Sequence, residues 1–294
     1  LTDVALVTCR DLPEWEIDDR FLRAALRDIG VTFDQPVWCD PAVRWEAYTC
    51  VLLRTPWDYH LRLTEFLEWA ERISQVTRLL NPLATIEWNA HKRYLDDLVQ
   101  YGVPVMPTVQ IGRATRPDLQ EHVAHFADTF GVARCVLKPA VSATAHETLP
   151  FDLDDQGMHA AHDHLRRLLP HHDLILQPWC DAVCSEGEYS LITVEGTLTH
   201  AVRKVPRTGD FRVQDDFGAH DEPWTPSDEA LAIMRAALRT LEPDVLYARI
   251  DCLRAPDDTL RLSEFELIEP SLFFRHGPAA APLLAKRLAA RLTI

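Results

Sequence analysis

Lysine is nearly absent from this chain. Of 30 basic residues only four are lysine, at positions 92, 138, 204 and 286, and arginine carries the rest. A lysine retained against that bias suits a place where a compact point charge is needed that the broad guanidinium fork does not replace. Positive charge is itself scarce: 30 basic residues face 45 acidic ones, for a net charge of -15. That balance argues against a general nucleic-acid partner, although it allows a local basic pocket. No C-x-x-C pair occurs, and the seven cysteines are scattered and odd in number. A disulfide framework or structural zinc site is therefore not expected, and a reduced cytoplasm fits. No H-E-x-x-H occurs, and His159, His162, His164, His171 and His172 lie on or beside a polar helix, as solvated histidines do. No apolar run approaches a membrane-spanning length, and the N-terminus lacks a basic-then-apolar signal, so no membrane partner is expected. The chain begins at Leu1, and an initiator methionine is expected to have been lost or left out.

What is present is a globular composition, 47% hydrophobic, in 294 residues, enough for two or three lobes around one cleft. Residues 1–87 read as a small α/β lobe. Val4–Val7 is a short buried strand, and Asp18 is placed to cap a helix with the stripe Phe21, Leu22, Ala25, Leu26 and Ile29, closed by Gly30. Strands near Val31–Val37 and Cys50–Leu53 and a helix near Thr64–Val76 complete a parallel-sheet pattern, whose strand ends carry ligands. The loop Arg54–Tyr59 leaves such an end. The second lobe, 88–180, starts with a helix over Asn89–Tyr101. Strands follow near Val103–Met106, Cys135–Lys138 and Leu174–Gln177, with helices around Asp118–Phe130 and Gln156–Leu169. The third, 181–294, is rich in hairpins. Glu188–Val194 and Thr197–Val205 flank Glu195-Gly196; Tyr247–Leu253 and Thr259–Leu267 flank a second turn; a helix begins near Pro278.

The chemistry concentrates in the last hairpin. Strand periodicity over Leu260–Ile268 puts Leu260, Leu262, Glu264 and Glu266 on one face. Two carboxylates so placed, with alpha carbons roughly 6–7 Å apart, repel unless a positive charge lies between them. With Asp251 on the preceding strand they form an oxygen-rich set suited to Mg²⁺ or Mn²⁺; the alternative is a solvated edge strand. Upstream, Lys138 ends an apolar strand. Leu174–Gln177 runs into Pro178-Trp179-Cys180, where proline breaks the ladder and leaves backbone groups for an adenine ring. Glu188 is placed to accept from ribose hydroxyls.

In this order, the motifs resemble the ATP-grasp superfamily, over about Asn81 to Arg275. The resemblance is to glutathione synthetase-like ligases and most closely to the compact cycloserine-forming ligases. It implies an α/β, ATP-grasp fold: a Rossmann-like pre-ATP-grasp domain over 1–87, a central lid lobe over 88–180 and a C-terminal lobe with the metal site over 181–294. It makes Lys92 a helix-borne phosphate ligand and Lys138 the second one. Gln177, Trp179 and Cys180 form the adenine hinge, and Glu188 is the ribose acid. Arg203, Lys204 and Arg212 form a basic hairpin at the reacting phosphate. Asp251, Glu264 and Glu266 become the metal triad, with Glu266 where many relatives carry asparagine. Two departures stand out. The loop after Lys138 has no glycine, leaving Ser142, Thr144 and backbone N–H groups to cradle phosphate. Phe217-Gly218 replaces a usual Gly-Gly pair.

The implied reaction uses ATP with Mg²⁺ or Mn²⁺ to turn a carboxylate into an acyl phosphate, which a nitrogen nucleophile then captures. No covalent nucleophile is expected, and Cys180 and Cys184 are assigned to packing. The nearest family implies cyclisation of O-ureido-D-serine to D-cycloserine in antibiotic biosynthesis. Intermolecular ligation of amino acids, a catalytically degenerate nucleotide-binding module and a metal-dependent hydrolase are the competing readings. The partner is expected to be a small amino-acid-like substrate held by Arg54, Trp57, Asp58, Arg203 and Glu269-Pro270-Ser271, where arginine suits a carboxylate and an acid an amino group. A homodimer is left open.

Overall fold

A parallel sheet buried on both faces makes the first lobe, as the unbroken apolar runs require. The computed structural model describes residues 2–12, 17–113, 115–213 and 218–292. Strands β1 (Thr2–Thr8), β2 (Phe33–Asp34), β3 (Tyr48–Thr55) and β4 (Arg78–Leu80) run parallel in the order β2-β1-β3-β4. Alternation sends Leu6 and Leu52 to one face, against Leu22 and Leu26 of helix α1 (Arg20–Asp28). Val7 and Leu53 go to the other, against Phe66, Trp69 and Ile73 of α2 (Leu63–Ser74). The strand expected over Val31–Val37 is confined to two residues, with Pro36 lacking the N–H that would extend its ladder. Asp18 does not cap α1. Its carboxylate accepts from the backbone N–H groups of Phe274 and Arg275, at 2.8 and 3.0 Å, tying the first lobe to the last. Ile29, expected in the buried stripe, is exposed at the end of α1.

The helix expected over Asn89–Tyr101 is two helices, α3 (Leu83–Asn89) and α4 (Tyr94–Gln100). Tertiary contacts break it: Lys92 N–H donates to the Ala140 carbonyl at 2.9 Å. The buried Asn89 amide donates to the Phe265 carbonyl (2.6 Å) and accepts from Leu267 N–H (2.8 Å). Lys92 therefore sits in the turn and not on a helix. The central sheet has the order β5-β8-β6-β7 and is antiparallel, from β5 (Val109–Ile111), β6 (Arg134–Pro139), β7 (Leu149–Asp152) and β8 (Leu174–Pro178). Val103–Met106 is not a strand, because its ordering comes from the third lobe: Val105 makes a single bridge to Leu262, and Met106 N–H bonds the Leu262 carbonyl. Helices α5 (Leu119–Phe130) and α6 (Asp155–Leu168) are capped by Asp118 and Asp154, whose side chains accept from Glu121 and Gly157 N–H groups.

The third sheet, β11-β10-β9-β12-β13, is antiparallel. Its strands are β9 (Glu188–Val194), β10 (Thr197–Val205), β11 (His220–Pro223), β12 (Tyr247–Arg254) and β13 (Leu260–Glu266), preceded by the short α7 (Ala182–Ser185). Glu195 and Gly196 turn β9 into β10 with φ of 46° and 72°, the paired positive values of a tight hairpin. Helix α8 (Asp228–Leu238) packs below the sheet, and α9 (Ala280–Ala290) lies beside α1. The first and third lobes share one core, in which Val4, Leu6 and Leu22 meet Ile192, Tyr247 and Leu284. Asn81, fully buried, stitches the same seam: its amide donates to the carbonyls of Tyr247 and Leu267 and accepts from Leu246 N–H. No helix among the described residues is long and apolar enough to cross a membrane.

Candidate active site

The central and third sheets face each other across a cleft of about 330 Å³, walled at one end by Trp57 and Tyr59 of the first lobe. The acids of the last hairpin reach it through an irregularity. Asp251 pairs with Glu264 but Cys252 with Leu262, so Ser263 is an extra residue that bulges β13. The bulge shifts the alternation: Leu260, Leu262, Phe265 and Leu267 bury together in the core with α8, and Glu264 and Glu266 turn to the cleft. The four residues expected on one face are thus divided between two.

Carboxylate oxygens of Asp251, Glu264 and Glu266 lie within 4.8 Å of one another. Three hard oxygen donors so close fit Mg²⁺ or Mn²⁺. The protein also supplies cations of its own. Lys92 Nζ lies 2.9 Å from Glu264, and Lys204 Nζ is 2.5 Å from Glu188 and 3.3 Å from Asp251. Arg249, unanticipated from sequence, donates to Asp251 through Nε (3.0 Å) and Nη2 (2.8 Å), and to Glu266. Its signal was available: two residues before Asp251 on one strand, it shares that residue's face. Burial alone would raise the Asp251 pKa, but Arg249 and Lys204 hold it well below the carboxylate range.

The hinge lies at the end of β8. Trp179 N–H donates to the Arg134 carbonyl at 3.0 Å and is not free, so proline opens less of this ladder than expected. The Pro178 carbonyl accepts the weak Cys180 thiol, at 3.9 Å. Gln177 lines the cleft with its side chain held on Thr108 Oγ1 at 2.8 Å. Cys180 packs with Met106 and Ala255, and burial pushes its thiol up to about 12, which makes it inert. Lys138 points into the cleft, its pKa lowered by burial and by Lys92. Gly187, at φ 84°, brings its backbone so near the Lys204 carbonyl that a Cβ would lie 2.2 Å away. Only glycine fits there, and the approach sets Glu188 beside Lys204.

The loop after Lys138 lines the cleft with Ser142 and Thr144. Lys92 Nζ donates to the Ser142 carbonyl at 3.2 Å. Thr144 and Ala145 have φ of 50° and 56°, left-handed backbone that glycine adopts without strain. The loop therefore keeps a glycine-like path without glycine, at about 1–2 kcal/mol per residue.

Arg212 lines the cleft and is braced by Asp210 at 2.7 Å. Arg203 does not reach it. One residue before Lys204 on β10, it faces away and pairs with Glu222 of β11 (Nε at 2.8 Å). Of the expected substrate contacts, Trp57, Glu269 and Ser271 line the cleft. Arg54 is fully buried, bonded to Asp19 at 2.8 and 3.0 Å and to the Pro270 carbonyl, and Asp58 holds Trp38 and Arg62. These two build the wall and do not face a ligand. Tyr59 and Phe273, not singled out from sequence, line the cleft. Phe217 lies outside the described residues.

Facing sheets, a carboxylate cluster and three converging lysines define an ATP-grasp ligase, a class that forms C–N bonds. Comparison with known proteins narrows this. Residues 4–81 match the family described as D-cycloserine synthetase DcsG, N-terminal domain. The chain is 34% identical over 284 residues to the cycloserine biosynthesis protein DcsG of Streptomyces lavendulae, covering 92% of each. It superposes on the crystal structure of D-cycloserine synthetase DcsG with a TM-score of 0.87 and 30% identity, over 98% of this chain and 99% of that one. The ATP-grasp ligase PsnB complexed with its minimal precursor shares the fold, with a TM-score of 0.65 and 18% identity over 99% and 100% of the two chains. This chain belongs to the ATP-grasp ligases closely related to D-cycloserine synthetase.

Proposed function

We propose that the protein is an ADP-forming ligase that closes O-ureido-D-serine to D-cycloserine. The observation that carries this is a single cleft in which Lys92, Lys138, Lys204 and the three carboxylates meet a first-lobe wall, in a chain resembling a cycloserine biosynthesis protein along nearly its whole length. A substrate carboxylate oxygen attacks the γ-phosphorus in line, the bond to the bridging oxygen breaks, and ADP leaves. Lys92, Lys138, Lys204 and Arg212 offset the charge on the phosphoryl oxygens. Asp251, Glu264 and Glu266 would hold Mg²⁺ or Mn²⁺, which supplies further neutralisation of the phosphates. The oxygen-bound ureido nitrogen then attacks the acyl carbon, loses its proton, and phosphate departs. The carbamoyl group is shed to water as carbon dioxide and ammonia. One small zwitterion carries both reacting groups, so closure gains from the high effective concentration of a tethered nucleophile. The cytoplasm, reducing and rich in ATP, is the compartment this chemistry and the free cysteines fit.

The test is incubation of enzyme, ATP and Mg²⁺ with O-ureido-D-serine alone, reading nucleotide and cyclic product by mass. ADP with D-cycloserine is expected. AMP with pyrophosphate refutes the acyl-phosphate route. ADP only after adding a second amine refutes cyclisation and favours intermolecular ligation.

A further inference from the structure

Every acid in the cleft except one has a cation of the protein beside it. Glu188 and Asp251 share Lys204, Glu264 has Lys92 and Glu266 has Arg249. Glu269 also lines the cleft, yet its carboxylate makes no hydrogen bond or ion pair among the described residues. Lys138 is the corresponding cation, with no hydrogen bond or ion pair of its ammonium among the described residues. The two stand in different surroundings: Lys138 beside the strand that ends in the hinge, and Glu269 beside Trp57 of the first lobe.

Side chains from two lobes hold the backbone around Glu269. Three consecutive carbonyls each accept from a different side chain: Glu269 from Trp57 Nε1 (3.1 Å), Pro270 from Arg54 Nη2 (3.1 Å) and Ser271 from Arg249 Nη1 (3.2 Å). Two of the three donors come from the first lobe. The segment is fixed in place, and its one charged side chain is left unsatisfied toward the cleft. A half-buried carboxylate with no direct ion-pair partner, crowded by Glu264 and Glu266, is costly to keep charged, and a bound cation removes that cost.

We propose that Glu269 is the receptor for the α-ammonium group of an amino-acid substrate. Glu269 follows Glu266 by three residues at the end of β13, so its ligand lies beside the acids that attend the reacting carboxylate. An ammonium one carbon from that carboxylate is the arrangement of an α-amino acid. The inference rests on the ligase reading above and adds the group by which the substrate is selected.

The experiment measures ADP release by wild type, Glu269→Gln and Glu269→Asp. Substrates are O-ureido-D-serine, its des-amino analogue 3-(ureidooxy)propanoate and a panel of other amino acids. Binding of a non-hydrolysable ATP analogue is the control. In Glu269→Gln the KM for the amino substrate should rise about 30-fold or more. Preference for it over the des-amino analogue should collapse, and affinity for the ATP analogue should be unchanged. Glu269→Asp should recover part of the preference. Retained preference in Glu269→Gln, or an equal loss of ATP-analogue binding, overturns the proposal. If wild type ignores O-ureido-D-serine but uses another amino acid whose ammonium preference Glu269→Gln abolishes, the cyclisation reading fails and this one stands. No ADP release with any amino acid overturns both.

Discussion

Arg249→Met separates the protein's own neutralisation of the acids from that supplied by a metal. The guanidinium donates to two carboxylates and to the Ser271 carbonyl. After substitution Asp251 keeps Lys204 at 3.3 Å and the Ser190 hydroxyl, whereas Glu266 loses its ion-pair partner. Removing one member of a buried ion pair costs about 3–5 kcal/mol. Unfolding entropy near 2.1 cal/mol/K per residue amounts to about 0.6 kcal/mol/K for 294 residues, so the cost is a Tm fall of about 5–8 °C in metal-free buffer. A divalent cation then replaces the missing charge. Saturating Mg²⁺ with ADP should raise the variant's Tm several degrees more than that of wild type. Arg249→Lys should not restore the wild-type Tm, because one ammonium cannot bridge both acids and the carbonyl. Scanning calorimetry with and without Mg²⁺ checks this. A variant Tm within about 1 °C of wild type, or equal Mg²⁺ shifts in both proteins, refutes the reasoning. The same pairing implies that Asp251→Asn destabilises the apo protein. Simple repulsion among the acids would have given the opposite sign, but Arg249 and Lys204 already offset it.

Lys138→Ala should weaken a non-hydrolysable ATP analogue by about 10-fold or more, while Lys286→Ala, on α9 away from the cleft, leaves it unchanged; calorimetric titration decides, and equal losses refute the assignment. Asn81→Leu strands the Tyr247 and Leu267 carbonyls and Leu246 N–H in the seam between lobes, at about 3–5 kcal/mol. Urea unfolding should show that loss, and a change under about 1 kcal/mol would mean the seam rests on apolar packing alone.

Alternation and spacing in the sequence determined the parallel first sheet, the Glu195-Gly196 hairpin and the pairing of Asp251 with the Glu264–Glu266 strand. Each is a local property, set by residues a few positions apart. The ordered motifs brought Lys92, Lys138, Gln177, Glu188 and Lys204 to attention, and all line one cleft. Helix α8 is also a local property, since Ser227 before Ala230, Ile233, Met234 and Ala237 is a capped apolar stripe. Tertiary structure alone decided the rest. Asn89 broke a helix by bonding β13, and Asp18 left a cap to hold Phe274 and Arg275. Arg54 went into the core with Asp19, and an extra residue at Ser263 turned Glu264 and Glu266 away from their apolar neighbours. In each case the deciding partner lies far along the chain, or on an opposing strand whose register no local pattern encodes. A buried polar group satisfies itself with whichever donor or acceptor the fold brings within reach.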